Sequence, residues 1–509
     1  HVHEVFAEIY LYNILGKIEA WQNSYFKFTQ ADISIPHYAM AYKHVTCSYI
    51  RTHYLTILTL NQIIQSTKEK KIKVIGLLPS TSEALTAFNK QHATVPALWL
   101  PWGLMNVFIF LGISLYSVGW ILFHTRLAPP NPKSLLLVAD YIGDPRDLTL
   151  IGQLAQLGEV ALVKRFQDPT TKHIREHEQY QPYTIQEGRF NLSQALNAIG
   201  RILWDGARLF SSFYTREPAH YFQIATLPYR RIILRALFNL LRPQFFWGRD
   251  DYNVEHILRR QELHRVGGVS LGINHGFPSY TNLFPQWRYI SFDHYYVFGR
   301  AVYERIYKDT WAEDMSVVPI GSFGATREDY DLIKAKKPND IVVFCAIFTG
   351  SPHLVQIVRD LANSFPERTI WLQIKINYQS FPRSAQFIED CTRDLKNVVY
   401  TTDSPRSLFS RAAYAVSDAS TTVIEALQFG LVSFMADIHP QHEVCLYREF
   451  DDLCIDSSGS LIKRIKDIEN GRWSYPRDSY GELIDLSGRP FTDIILEDIK
   501  LSTSKNVNV

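Results

Sequence analysis

The sequence predicts an α/β protein built from two parallel-sheet units, on three observations. Short runs rich in Val, Ile and Leu recur along the chain, as strands buried on both faces do. They are KIKVIGLL (71–78), SLLLVADY (134–141), EVALVKRF (159–166), GVSLGIN (268–274) and HYYVFG (294–299), then DIVVFCAIF (340–348), TIWLQIKIN (369–377), NVVYTT (397–402), AYAVSD (413–418) and LVSFMAD (431–437). Helical stretches separate most of them, and alternation of strand and helix builds parallel sheets. The chain has 509 residues, 46% hydrophobic and 20% charged, enough for two complete cores.

Taken in order, residues 1–70 read as a helical N-terminal region with long apolar-periodic runs and few turn signals. Residues 71–320 form the first lobe and 321–480 the second, joined near 316–337, with a tail over 481–509. Inside the first lobe, YIGDPRDLTLIGQLAQLGEVALVKRF reads as strand, loop, helix, strand. Residues 170–240 read as helical, rich in Arg and aromatics, and form a second surface-seeking region. The short strand QFFWGRDDYN and the helix VEHILRRQELHRVG lead into GVSLGIN.

One insertion interrupts this pattern. Between Lys90 and Arg126 there is no Asp, Glu, Lys or Arg, and LMNVFIFLGISLYSVGWILF (104–123) is long enough to cross a bilayer. Trp99, Trp102 and Trp120 suit an aromatic belt. Pro96, Pro101, Gly103, Gly112 and Gly119 can divide the segment. If KIKVIGLL and SLLLVADY share one sheet, a single crossing would separate them. The insertion over 95–125 is therefore expected to be an in-plane or re-entrant membrane anchor on a cytoplasmic domain, and a hydrophobic core helix pair is the alternative.

Composition narrows the function. The 53 Lys plus Arg against 51 Asp plus Glu argue against a nucleic-acid partner. Five scattered cysteines form no C-x-x-C or Cys/His cluster, so neither a disulfide framework nor a zinc site is expected, and the setting is a reducing one. No signal-peptide pattern is read. Aromatic residues at 13% suit sugar-stacking or interfacial surfaces.

The stretch SDASTTVIEALQFG (417–430) leaves a strand, groups Ser420, Thr421 and Thr422, and starts a helix. A helix start offers unpaired N–H groups and a positive dipole end, a seat for phosphate. Thr422-Val-Ile-Glu425 also fits a capping box, which needs no ligand. Ligands of open parallel sheets bind beyond the carboxyl ends of strands, where both this stretch and His275-Gly276 lie.

Strand-loop-His-Gly, a later strand ending in FG, a linker with IGS, and D-x-S-[ST]-T-x-x-E-A-x-x-x-G together resemble GT-B-fold glycosyltransferases. The likeness is to bacterial enzymes of surface-polysaccharide assembly, of capsule, O-antigen or teichoic-acid type, and covers roughly 70–470. It implies two Rossmann-like lobes. Ser420, Thr421 and Thr422 would cradle donor phosphates, with Glu425 on ribose or sugar hydroxyls. His275 would contact phosphate or act as general base, unless it is a loop histidine bonded to backbone. Gly276 would let backbone approach the ligand. Asp250 and Asp251 are further candidate bases, of which at most one faces the cleft; Arg249 can neutralise it instead. Asp144 and Asp147 are weaker candidates, with Arg146 between them as a phosphate ligand. Gly321 and Ser322 lie at the lobe junction. Lys375 would neutralise the leaving group or be a solvated strand-end lysine. Ser404 starts a helix near the nucleotide base.

The resemblance implies a membrane-associated transferase at the cytoplasmic side of the inner membrane. It would use a nucleotide-sugar donor and a glycan or lipid-linked acceptor, with no cofactor and no metal. Alternatives are a UDP-sugar 2-epimerase, whose paired glycines are here Thr421 and Thr422, a polyol-phosphate transferase, or a non-catalytic membrane scaffold.

Overall fold

The computed structural model describes residues 38–51, 100–128, 131–140, 144–164, 180–249, 251–277, 285–334, 339–346, 351–437 and 445–506, with short pieces between 59 and 96. Two parallel sheets organise it. Strand β1 (Ile72–Leu77) pairs with β2 (His92–Pro96) as a separate two-stranded sheet. The first lobe's sheet therefore begins later, with β3 (Lys133–Asp140), and the expectation that KIKVIGLL and SLLLVADY share a sheet is corrected. Ile75 is 70% exposed, so β1 lacks the two-sided burial that its apolar run suggests.

The apolar insertion forms α1 (Leu100–Phe123), and β3 runs into α2 (Pro145–Ala155). Next come β4 (Val160–Lys164), β5 (Gln181–Thr184) and three helices, α3 (Leu192–Phe213), α4 (Pro218–Ala225) and α5 (Leu227–Leu240). The lobe is completed by β6 (Leu241–Gly248), β7 (Val269–Ile273), β8 (His294–Val297) and β9 (Ser316–Pro319). Spatial order is β5-β4-β3-β6-β7-β8-β9.

The second lobe contains β10 (Asp340–Cys345), β11 (Ile370–Ile374), β12 (Val398–Thr401), α6 (Pro405–Phe409), β13 (Ala412–Ser417), α7 (Thr421–Gln428), β14 (Val432–Ala436) and β15 (Cys454–Ile455). Its order is β12-β11-β10-β13-β14-β15. Both sheets thus run third, second, first, fourth, fifth, sixth, the first lobe adding a seventh strand, and each reverses between its first and fourth strands. Those reversals, β3/β6 and β10/β13, are where such sheets open a crevice for ligands.

The final helix, α8 (Phe491–Asn506), crosses back to the first lobe. Phe491, Ile495 and Ile499 are buried in the cluster holding Leu137, Ala139 and Trp247, and Tyr296 Oη donates to Asp498 at 2.9 Å. The opposite sheet face packs Leu135, Val138 and Phe246 against α3, α5 and the helix Ala39–Arg51.

Helix α1 is continuous over 24 residues, so the expected division at its glycines and proline does not occur. Pro101 lies in the first turn, where no helical hydrogen bond is lost. Added Cβ atoms at Gly112 and Gly119 would meet nothing within 4 Å among the described residues, and neither glycine marks a break. Asn106 Nδ2 donates to the carbonyls of Tyr214 and Arg216, both at 2.7 Å, and Phe110 stacks on Phe210 at 5.2 Å. These contacts lay α1 lengthwise and antiparallel along α3. Trp99 lies outside the described residues.

Candidate functional site

The site begins where β13 ends. The Asp418 carboxylate accepts the Ala346 N–H at 3.0 and 3.1 Å, tying the ends of β10 and β13 together. Ser420, extended at φ −131°, is the N-cap of α7, and its hydroxyl accepts the Thr422 N–H at 3.3 Å. Tyr447 Oη donates to the Ser420 carbonyl at 2.8 Å. Ser420, Thr421 and Thr422 are all partly exposed.

The Thr422–Glu425 capping box is not formed, because Ser420 caps the helix instead. Glu425 turns toward the lobe junction, where it accepts the Ser322 hydroxyl at 2.9 Å. Burial raises its pKa, opposed by the Ser322 bond and by the nearby cations Arg406, Arg146 and Lys375.

Across the cleft, His275 and Gly276 follow β7. The Phe277 N–H donates to Thr421 Oγ1 at 3.4 Å, so the start of α7 faces the His275 loop. The His275 N–H donates to Asp251 at 2.9 Å, and Tyr295 Oη donates to the same oxygen at 3.0 Å. Asp251 is fully buried, which corrects its reading as a cleft-facing base. It positions the loop instead. Asp250 lies outside the described residues. The His275 side chain opens to the cleft, and desolvation, then Arg249 and Arg146, push its pKa down to about 4. Solvent at its open side softens that shift. The imidazole is neutral at pH 7, as a proton acceptor must be.

Arg249 does not neutralise Asp251. It pairs with Asp144 and, at 3.4 Å, with Asp147 across the β3/β6 reversal. Asp144 caps α2 through the Arg146 N–H at 2.9 Å and holds the Arg146 guanidinium at 2.6 Å. Those arginines keep its carboxyl far below the usual range, although burial acts the other way. Asp147 is fully buried and accepts Trp247 Nε1 at 2.9 Å, so neither carboxylate is free to act as a base.

Gly321 has φ +71°, and a Cβ there would come within 2.0 Å of the Gln428 amide, so the junction requires glycine. Ser322 is buried and spends its N–H on Gln428 at 2.8 Å, so it orients Glu425 rather than meeting a ligand. Lys375 is exposed at the end of β11. Ser404 caps α6 by accepting the Ser407 N–H at 3.3 Å. Among the described residues, a Cβ on Gly276 would touch only Trp287, at 3.8 Å.

Two residues emerge that sequence reasoning passed over. Arg406, two positions after Ser404, pairs with Asp329 at 3.0 Å, donates to the Phe323 carbonyl at 3.1 Å and acts on Glu425. Tyr447 stacks on Phe277 at 5.3 Å while bonding to Ser420. A basic residue at a helix start beside a strand end is a usable signal for the first. The second has none, since it arrives from a single 3-10 turn, Leu446–Glu449, 27 positions beyond Ser420.

No family model and no curated protein matches the chain. Among solved structures it is similar to a Staphylococcus aureus MnaA–UDP complex (10% identity, 73% of this chain and 97% of that one, TM-score 0.41). It is also similar to Acinetobacter baumannii MurG (13%, 72% and 99%, 0.41) and to the wall teichoic acid polymerase TagF (12%, 77% and 98%, 0.39). These likenesses are weak, and the chemistry of the cleft rests on its own residues.

Proposed function

We propose that the chain transfers a sugar from a nucleotide-sugar donor to a growing surface glycan or lipid-linked acceptor, at the cytoplasmic side of the inner membrane, with α1 holding it there. The observation that supports this most is the convergence of charge: Arg146 of the first lobe and Lys375 of the second both act on His275 and on Glu425. Together with the start of α7, they give an electropositive gap that suits a diphosphate.

In this reading the bond from the anomeric carbon to phosphate oxygen breaks, and its electron pair leaves with the nucleotide. The acceptor hydroxyl bonds to that carbon, and its proton passes to His275. Thr421, Thr422, Arg146 and Lys375 meet the departing charge, so the reading invokes no metal or cofactor. Glu425 accepts donor hydroxyls. A thermal-shift panel of UDP-, GDP- and CMP-linked sugars tests donor binding, followed by product analysis with the best donor. No stabilisation by any of them would favour a scaffold. An altered sugar nucleotide without acceptor would favour an epimerase.

A further inference from the structure

The outer face of α1 is apolar along its whole length. Leu104, Phe108, Leu115 and Phe123 are each more than 60% exposed, while Asn106, Ser117, Trp120 and Ile121 face the protein. Helix α3 adds a second stripe: Leu192, Leu196 and Leu203 are exposed and, at 100° per residue, fall within an arc of about 40°. Gly206 and Phe210 fix where α1 lies on α3, since both meet Phe110. The leucine stripe adjoins that seam on the side away from the Ile202 and Leu209 face, which is buried. The two apolar faces therefore form one surface.

Its rim is basic. From 100 to 133 the charged residues are Arg126 and Lys133, and from 188 to 216 Arg189, Arg201, Arg208 and Arg216 stand against Asp205 alone. The Arg208 guanidinium lies 4.6 Å over the ring of Trp204, itself 61% exposed, an arrangement suited to the headgroup level. A rim with this excess of positive charge disfavours a second copy of itself and attracts an anionic leaflet. If α1 crossed the bilayer it would take α3 with it, placing Arg201, Asp205 and Arg208 in hydrocarbon.

We infer that α1 and α3 together form a two-helix ledge that lies in the headgroup–acyl boundary of an anionic membrane leaflet, with neither helix crossing. This deepens the membrane attachment proposed above and is independent of which donor is used.

Flotation of the full chain with phosphatidylcholine vesicles, with and without about one-third phosphatidylglycerol, tests it. The wild type floats with the anionic vesicles and less with the neutral ones. Leu196→Asp with Leu203→Asp, both exposed and outside the cleft, lowers the bound fraction about tenfold or more. The paired serine variant, which puts no charge on the stripe, gives a smaller loss and serves if the aspartate protein does not fold. Cysteines introduced as Thr215→Cys, beside the start of α1, and Arg126→Cys, just past its end, both lie off the apolar stripe and both react, above the wild-type level, with an impermeant thiol reagent added outside the vesicles. Wild-type flotation by the aspartate variant, reaction at one end only, or a wild-type dimer that floats with neither vesicle would each overturn the ledge. The nucleotide thermal shift, read on the same protein without lipid, separates its failure from failure of the transferase reading.

Discussion

Ser322 donates its hydroxyl to Glu425 at 2.9 Å and so links the segment between the lobes to the helix that follows β13. The bond accounts for the absent capping box: the carboxylate is drawn toward the junction, where Arg406 and Lys375 also act on it.

Glu425 can therefore be tested without the ambiguity of a cap. Glu425→Gln keeps an acceptor for Ser322 but removes the charge. Donor-induced stabilisation and turnover should be lost while the fold persists. Because burial raises the folded pKa, the stability this group contributes is present below the ordinary carboxylate pKa and lost as pH rises through the raised value. The glutamine variant should thus match or exceed the wild type in melting temperature at neutral pH, its advantage shrinking toward acid. Glu425→Ala strands the Ser322 hydroxyl and should cost about 1–3 kcal/mol. Normal transfer by the glutamine variant removes Glu425 from the mechanism.

His275 carries a pH prediction. With its pKa pushed down to about 4 by desolvation, then Arg249 and Arg146, it stays deprotonated well below the usual histidine range. The acid limb of kcat/KM should fall below 6.5, displaced toward that value as far as solvent at the open side of the ring allows. Arg146→Met should move the limb upward. In stability terms the depressed pKa contributes above the unfolded value and is lost as pH falls toward about 4. His275→Ala should abolish turnover and leave donor binding measurable. An acid limb unmoved by Arg146→Met would separate the limb from His275.

Asp251 supports that histidine without touching substrate. Its Oδ2 takes two donors, the His275 N–H and the Tyr295 hydroxyl, inside a fully buried setting. Asp251→Ala should cost about 2–4 kcal/mol by leaving both unpaired. Denaturant unfolding reads that loss directly. Asp251→Asn, which retains one acceptor, should recover part of the stability and part of kcat with little change in KM. A stability change without any kcat effect would reduce Asp251 to a structural role.

Much of this was legible in the sequence, for stated physical reasons. β10, β11 and β13 are buried on both faces, so their continuous apolar runs announce them, and the Ser-Thr-Thr helix start is marked by local chemistry alone. β1 misled because an apolar run does not reveal which sheet it joins. Asp251 misled for a related reason: a carboxylate after a strand can point into the cleft or into the core, and only Tyr295, reached through a later strand, decides it. The destination of Glu425 depended on Ser322, 103 positions away, so local spacing favoured a cap that does not form. Arg249 was placed beside the nearest acids in sequence, whereas the β3/β6 neighbourhood gives it Asp144 and Asp147.

Lys375 offers the sharpest test of the leaving-group site because its side chain is exposed. Its N–H donates to the Cys345 carbonyl at 2.9 Å, a bond that any substitution except proline preserves. Lys375→Ala should leave stability within about 0.5 kcal/mol. It should weaken binding of an intact nucleoside diphosphate about tenfold, or about 1.4 kcal/mol, and flatten the salt dependence of that binding. The nucleoside alone, lacking phosphates, should bind wild type and variant equally in calorimetric titration. Lys375→Arg keeps the charge and should recover most of the affinity. Equal weakening of nucleoside and nucleotide would instead place Lys375 at the base or the sugar, and the electropositive gap would then have to be held by Arg146, Arg406 and the start of α7 alone.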